Sequence, residues 1–287
     1  KELNSPNEYV SSCFWDNFSN SEPNRISLDK NINECVLFSS ETPKTVVIQV
    51  IKISECAFAY AGLKEINIEG SPVLENPSIK SNKNPLKLEI IGDSITCGYG
   101  IDGIFEKDSF TTQQQRPDKA YGFLTAKSLN ADFHFVSWSG IGLISNYVDE
   151  TVNVPDTHYL MPPNWPYTDK SLCLRLGIDC EVWDESKFSP DIVVIHLGTN
   201  DASFVRSVEE RRIAYVSALR QFIEAVHRRS PKAKICCCLG VMGQLLCDSV
   251  SEAISLFNKD FPLVQTKFVK FPVQIDSDGI GADWHPS

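Results

Sequence analysis

Leu86-Lys87-Leu88-Glu89-Ile90-Ile91-Gly92-Asp93-Ser94-Ile95-Thr96 is the stretch on which the reading of this chain turns. The first six residues are an apolar-rich run of strand length. The next five are mostly small and turn-forming. A strand that ends in such a turn can hold a serine hydroxyl clear of the backbone, at the rim of a sheet. Alone, Gly92-Asp93-Ser94 is an ordinary turn, and a turn serine satisfying a backbone group is its default meaning.

Working outward, strand and helix patterns alternate from Leu86 onward. Strands are expected at residues 86–91, 133–137, 191–197, 234–241 and 266–271, and helices at 120–129, 208–229 and 249–260. Unbroken apolar runs such as Ile192-Val193-Val194-Ile195 fit a parallel sheet covered on both faces. The expected fold class is therefore α/β, a three-layer domain over residues 85–287 with a mostly parallel five-stranded sheet. Ligands of such sheets bind at the carboxyl ends of the strands. Residues 1–84 read as a separate, small β-rich domain. Short β-prone runs (residues 46–51 and 57–60) sit there among Asn, Ser, Pro and Gly, and residues 75–85 form a turn-rich linker. The stretch from Asp149 to Lys187 is long, irregular and rich in Pro and aromatics, which in a compact domain often marks function.

Composition narrows the classes. With 287 residues, 42% hydrophobic and 22% charged, the chain is long enough for a sizeable core. A formal charge of −10 argues against nucleic acid and anionic lipid as partners, both of which select basic faces. No apolar run approaches the roughly 20 residues needed to span a bilayer. The ten cysteines include no C-x-x-C. Cys236, Cys237 and Cys238 lie in one apolar run, where successive strand residues point to opposite faces and cannot converge on an ion. Cys13, Cys35, Cys56, Cys173, Cys180 and Cys247 have more polar neighbours and could pair in some order. The sequon Asn17-Phe18-Ser19 is compatible with a secretory route.

Three further motifs follow the first in order: Ser139-Gly140-Ile141-Gly142, Gly198-Thr199-Asn200-Asp201 and Asp283-Trp284-His285. Each has a bland meaning taken singly. Gly140 is then a turn glycine, Asn200 a helix cap, His285 a surface histidine and Asp283 a solvated carboxylate. Taken together they supply nucleophilic catalysis. Ser94 is the nucleophile and His285 its general base. Asp283, two residues earlier in an extended segment, would share a face with His285 and fix its tautomer. The N–H groups of Ser94 and Gly140 and the amide of Asn200 would form the oxyanion hole. The ordered set reads as a serine esterase. His196, inside an expected buried strand, reads as a hydrogen-bonded core histidine, and Trp165, Tyr167, Trp183 and Trp284 as a candidate sugar-stacking wall. Gly98-Tyr99-Gly100-Ile101-Asp102-Gly103 spells a dinucleotide fingerprint. It lies several residues past the strand with no helix start after it, so it reads as a flexible loop beside Ser94.

The four motifs resemble those of the SGNH (GDSL-type) hydrolases block for block. The extended stretch Glu89 to Gly100, with Ala120-Tyr121-Gly122, Trp183-Asp184 and Gly281-Ala282-Asp283-Trp284-His285-Pro286-Ser287, is similar to family 2 carbohydrate esterases. The resemblance covers about residue 45 to the end. It implies an N-terminal jelly-roll β-sandwich, incomplete here, and secreted, metal-independent deacetylation of sugars or polysaccharides without a cofactor. It also implies that some relatives work without the carboxylate at Asp283, and that asparagine is common where His196 stands. Two other readings stay open: a non-catalytic carbohydrate-binding or surface protein on the same scaffold, and an esterase or lipase acting on small or lipid esters. The oligomeric state has no signature in the sequence.

Overall fold

The computed structural model of the protein describes residues 8–15, 24–28, 34–58, 64–71 and 85–287. The chain divides into two units, Lys1–Pro85 and Leu86–Ser287. In the first, β1 (Glu8–Trp15) lies between β2 (Asn24–Leu28) and β3 (Val47–Lys52) in an antiparallel sheet. The expected run at residues 46–51 is the third of these strands. The run expected at 57–60 begins instead in a turn, where Phe58 N–H donates to Glu55 O at 3.2 Å. Ala59, Tyr60, the sequon at 17–19 and the linker at 75–84 lie outside the described residues, as does much of the stretch read as a β-sandwich.

The second unit is built as the apolar runs dictate. Its strands are β4 (Lys87–Gly92), β5 (Asp132–Ser137), β6 (Ile192–His196), β7 (Lys234–Leu239) and β8 (Thr266–Lys270). They pair in parallel throughout, in the order β5-β4-β6-β7-β8. Three longer helices, α1 (Tyr121–Leu129), α2 (Glu209–Arg229) and α3 (Cys247–Asp260), match the expected segments to within two residues. Alternation along each strand splits the core into two layers. Leu88 and Ile90 of β4 pack with Ala126 of α1 on one face. Ile91, Val193 and Ile195 meet Leu219, Ile223, Val250 and Phe257 from α2 and α3 on the other. The chain leaves β4 toward β5, then crosses back to β6 on the opposite side of β4. That reversal opens a crevice at the carboxyl ends of β4 and β6.

Trp165 corrects one expectation. Its indole is 6% exposed within the core, and Nε1 donates to Oε1 of Glu89 at 2.9 Å. The ring also carries the Arg229 guanidinium 4.9 Å from its centroid. Burial pushes the Glu89 carboxyl above its ordinary range, so this carboxylate depends on its donors. Trp165 is a structural anchor, since its polar edge is spent on a buried strand residue. Trp165→Phe should cost about 1–3 kcal/mol by leaving Glu89 short of a donor. Urea unfolding measures this, and an unchanged midpoint would show the bond to be dispensable.

Candidate active site

Ser94 opens a single helical turn, Ser94–Cys97, directly after β4. Asp93 caps it, one carboxylate oxygen accepting Ile95 N–H at 3.1 Å, and Gly98 ends it in the left-handed region. These caps hold the Ser94 side chain at the sheet rim. His285 arrives from the loop after β8, on a tight turn over Ala282–Trp284. Hydrogen bonds from Gly281 N–H to His285 O (2.7 Å) and from Ala282 N–H to Gly100 O (3.0 Å) fix that turn. The result places Nε2 of His285 2.7 Å from Oγ of Ser94. The two expected partners meet.

The third member does not sit as expected. Nδ1 of His285 faces the backbone carbonyls of Asp283 (3.0 Å) and Ala282 (3.3 Å), not the Asp283 carboxylate. Asp283 adopts φ 50° and ψ 43°, so the segment is coiled rather than extended and the i, i+2 rule for shared faces does not hold. Its carboxylate accepts the Tyr99 hydroxyl at 2.9 Å instead. The tautomer follows: Nδ1 carries the proton toward two carbonyl oxygens, and Nε2 presents a lone pair to Ser94. Burial pushes the His285 pKa below the ordinary imidazole value, against the charge of Asp93 and the two carbonyls, which favour the protonated ring.

Gly140 and Asn200 belong to one tied assembly. Asn200 opens no helix as a cap. It is the second residue of the helix Thr199–Val205 after β6, buried, with Nδ2 donating to Ile141 O at 2.9 Å. One amide N–H is thereby committed and the second remains to be offered. Gly140 has φ 79°, and a Cβ added there meets nothing within 4 Å, so its backbone borders open space. Asp201, which the sequence reading left without a role, locks the two together. Its carboxylate, fully buried, accepts N–H bonds from Leu143 (2.9 Å), Ile144 (2.8 Å) and Ser145 (3.2 Å). A Cβ at Gly142 would lie 2.9 Å from that carboxylate and collide with the Ser145 carbonyl, which explains the second glycine. Burial outweighs the amide donors and raises Asp201 to about 6. Its place beside Asn200 was the available signal; that its target was the Gly140 loop could not be read from the motif.

Trp284 is the one residue of the expected aromatic wall that borders the pair, 55% exposed and packed against Phe105 at 4.0 Å between centroids. Trp183 lies tilted against His134 instead, 4.7 Å between ring centroids, beside the end of α2 where Arg229 donates to its carbonyl. Tyr167 pairs with Val182 in an isolated bridge that closes an excursion of the long loop, and Lys170 lies over its ring. Sequence composition identified these aromatics but not their side of the sheet. Trp138, Tyr147 and Tyr159, not singled out from sequence, flank Gly140: Tyr147 N–H donates to Gly140 O at 3.0 Å, and Trp138 and Tyr159 stack at 5.3 Å. The G-x-G-x-x-G segment is a loop, as read, and its Gly100 carbonyl braces the turn before His285. His196 is fully buried as expected, but its ring nitrogens have no hydrogen-bond partner, where the sequence reading expected one.

The model of the GDSL-like Lipase/Acylhydrolase family matches residues 90–261. The chain is 40% identical over 206 residues to Cellulase/esterase CelE of Acetivibrio thermocellus, covering 70% of this chain and only 23% of that protein. It is 26% identical over 272 residues to an acetylxylan esterase / glucomannan deacetylase of Cellvibrio japonicus, covering 93% of this chain and 69% of the relative. Among solved structures, an active site mutant of a family two carbohydrate esterase from Clostridium thermocellum superposes with a TM-score of 0.79 at 31% identity, over 99% of this chain and 80% of that one.

Two outcomes follow from this geometry. Asp283→Asn should lower kcat/KM on p-nitrophenyl acetate by less than about tenfold, against the ~10⁴-fold loss when a triad carboxylate holds the histidine. A loss of the larger size would return the orienting role to the carboxylate. The lowered pKa of His285 keeps it unprotonated to lower pH, so the acid limb of kcat/KM should reach half-maximum below pH ~6.5, the ordinary imidazole value. A midpoint above that value contradicts the assigned environment.

Proposed function

Because the chain belongs to the GDSL-like lipase/acylhydrolase family, on the fold of its family two carbohydrate esterases, we propose that it is a serine esterase that removes O-acetyl groups from carbohydrates. The 2.7 Å approach of His285 Nε2 to Ser94 Oγ, beside Asn200 and Gly140, carries this reading. Ser94 Oγ attacks the acetyl carbonyl while its proton passes to Nε2. The carbonyl oxygen becomes an oxyanion that draws on the N–H groups of Ser94 and Gly140 and on Nδ2 of Asn200. Collapse expels the sugar oxygen, which takes the proton from His285 and leaves an acetyl group on Ser94. Water then loses a proton to the same nitrogen as it attacks that acetyl group, and the second collapse breaks the bond to Oγ, which takes the proton back from Nε2 as acetate is released. The backbone carbonyls behind Nδ1 stabilise the imidazolium at both stages, the task a carboxylate performs in a triad.

The exposed faces of Trp284 and, across from it in the chain's order, Tyr147 and Tyr159 support a sugar as the alcohol half of the ester. The names of the relatives, a cellulase/esterase and an acetylxylan esterase / glucomannan deacetylase, support an acetylated polysaccharide. A polymer of that kind is met outside the cell, so the protein is proposed to be secreted. Among the described residues no helix is long and apolar enough to cross a membrane. The sheet of β1, β2 and β3 supports the N-terminal unit as part of a jelly-roll-like domain.

Acetate release from p-nitrophenyl acetate and acetylated xylan tests the proposal. Ser94→Ala should abolish both, and Asn200→Ala should lower turnover roughly 10²–10³-fold, the loss usual for one oxyanion donor. Equal rates for Ser94→Ala and wild type would end the assignment. A rate that rises with acyl chain length would move the substrate to lipid esters.

A further inference from the structure

Beneath Ser94, three buried polar atoms stand without partners: Oδ2 of Asp93 and both ring nitrogens of His196. Both side chains are completely buried, and Nδ1 of His196 lies 3.6 Å from Oδ1 of Asp93, just beyond hydrogen-bond reach. The proximity follows from the sheet, where His196 is the register partner of Gly92, the residue before Asp93. The imidazole is sandwiched loosely by rings, Phe271 stacked at 5.7 Å and Tyr121 tilted at 5.4 Å. Tyr121 itself is occupied by Thr96, Oη to Oγ1 at 2.9 Å. Buried polar groups in native proteins are almost always satisfied, and those left over call for an explanation. Nδ1 of His196 faces the Asp93 carboxylate, on the side of the oxygen that already accepts Ile95 N–H.

We infer that His196 is a positioning residue for the nucleophile, its Nδ1–H donating to the Asp93 carboxylate that caps the Ser94 turn. The inference rests on the reading of Ser94 and His285 as nucleophile and base. A small rotation of the ring closes the gap. Asp93 already spends one oxygen on Ile95 N–H, which sets the first turn of the Ser94 helix. A second donor from β6 then fixes the plane of that carboxylate, and with it the seat of Ser94 opposite His285. The β6 strand thus acts twice on the reaction: Asn200 follows its end, and His196 reaches under the neighbouring strand. Nothing in His196 touches substrate.

Two variants and one spectrum test this. His196→Phe keeps a flat ring against Phe271 and removes the donor. Its kcat on p-nitrophenyl acetate should fall about 10- to 100-fold, the rate equivalent of one hydrogen bond to a charged group, with KM within about twofold. His196→Asn, which can offer an amide N–H at the same place, should restore kcat to within about threefold of wild type. Wild-type kcat in the Phe variant, or an Asn variant no better than Phe, would overturn the inference. If either variant fails to fold, long-range ¹H–¹⁵N NMR of histidine-labelled Ser94→Ala protein decides. A protonated Nδ1 on His196, with its proton resonance moved by Asp93→Asn, supports the bond; a ring protonated on Nε2 alone refutes it. That spectrum needs no catalysis, so the inference can fail while the esterase reading stands. Conversely, unchanged activity in Ser94→Ala would sink the esterase reading whatever the tautomer of His196.

Discussion

The hydrogen bond between His285 Nε2 and Ser94 Oγ joins residues 191 positions apart, and the second unit is organised to make it at 2.7 Å. Neither side chain could be held there by its own segment. Ser94 is placed by the end of β4 and by the caps on its single helical turn. His285 is placed by a turn whose backbone is pinned to Gly100, in the loop that follows Ser94. The loop therefore braces both partners at once. Its interior is itself tied down, because the buried guanidinium of Arg116 bridges Asp102 at 2.9 Å and Asp118 at 2.7 Å.

Around this contact the protein buries carboxylates that serve geometry rather than charge transfer. Asp93 caps the Ser94 turn, Asp201 gathers three amides of the Gly140 loop, and Glu89 takes the Trp165 indole. A buried carboxylate is expensive unless donors surround it. Here the donors are mostly backbone N–H groups, so the cost is met by groups that would otherwise be orphaned in tight loops. Loops built this way are tied at several points, which suits the proposed oxyanion hole, whose donors must already point at the place where charge develops. The same logic explains why a histidine can function with carbonyls behind it. Two oriented dipoles at 3.0 and 3.3 Å, in a buried setting, fix its tautomer without a second ionised group.

What could be read from the chain depended on the range of the interaction. The five parallel strands and three long helices were legible because hydrophobic period reports local burial directly. Ser94, Gly140, Asn200 and His285 could be singled out as candidates because each sits in a short motif at a strand end or in a final loop. Trp165 and Trp183 were misplaced for the converse reason: aromatic content says that a residue packs, and says nothing of which layer receives it. With Trp284 also at positive φ, the reading of Asp283 failed on the backbone of its own turn. The left-handed conformation at that residue turned its carboxylate to Tyr99 and its carbonyl to His285, and no residue type in Asp283-Trp284-His285 announces such a turn.

By itself, then, the sequence determined the class of fold, the order of its strands along the chain and the residues proposed to react. These depend on side-chain character within a few residues, where polarity and spacing suffice. The tertiary structure alone decided which atoms face His285, that Asp201 and Asn200 hold one loop from one helix, and that His196 lies under Asp93. Those relations arise where separate strands come into register, and distances of a few tenths of an ångström across a sheet have no signature along the chain.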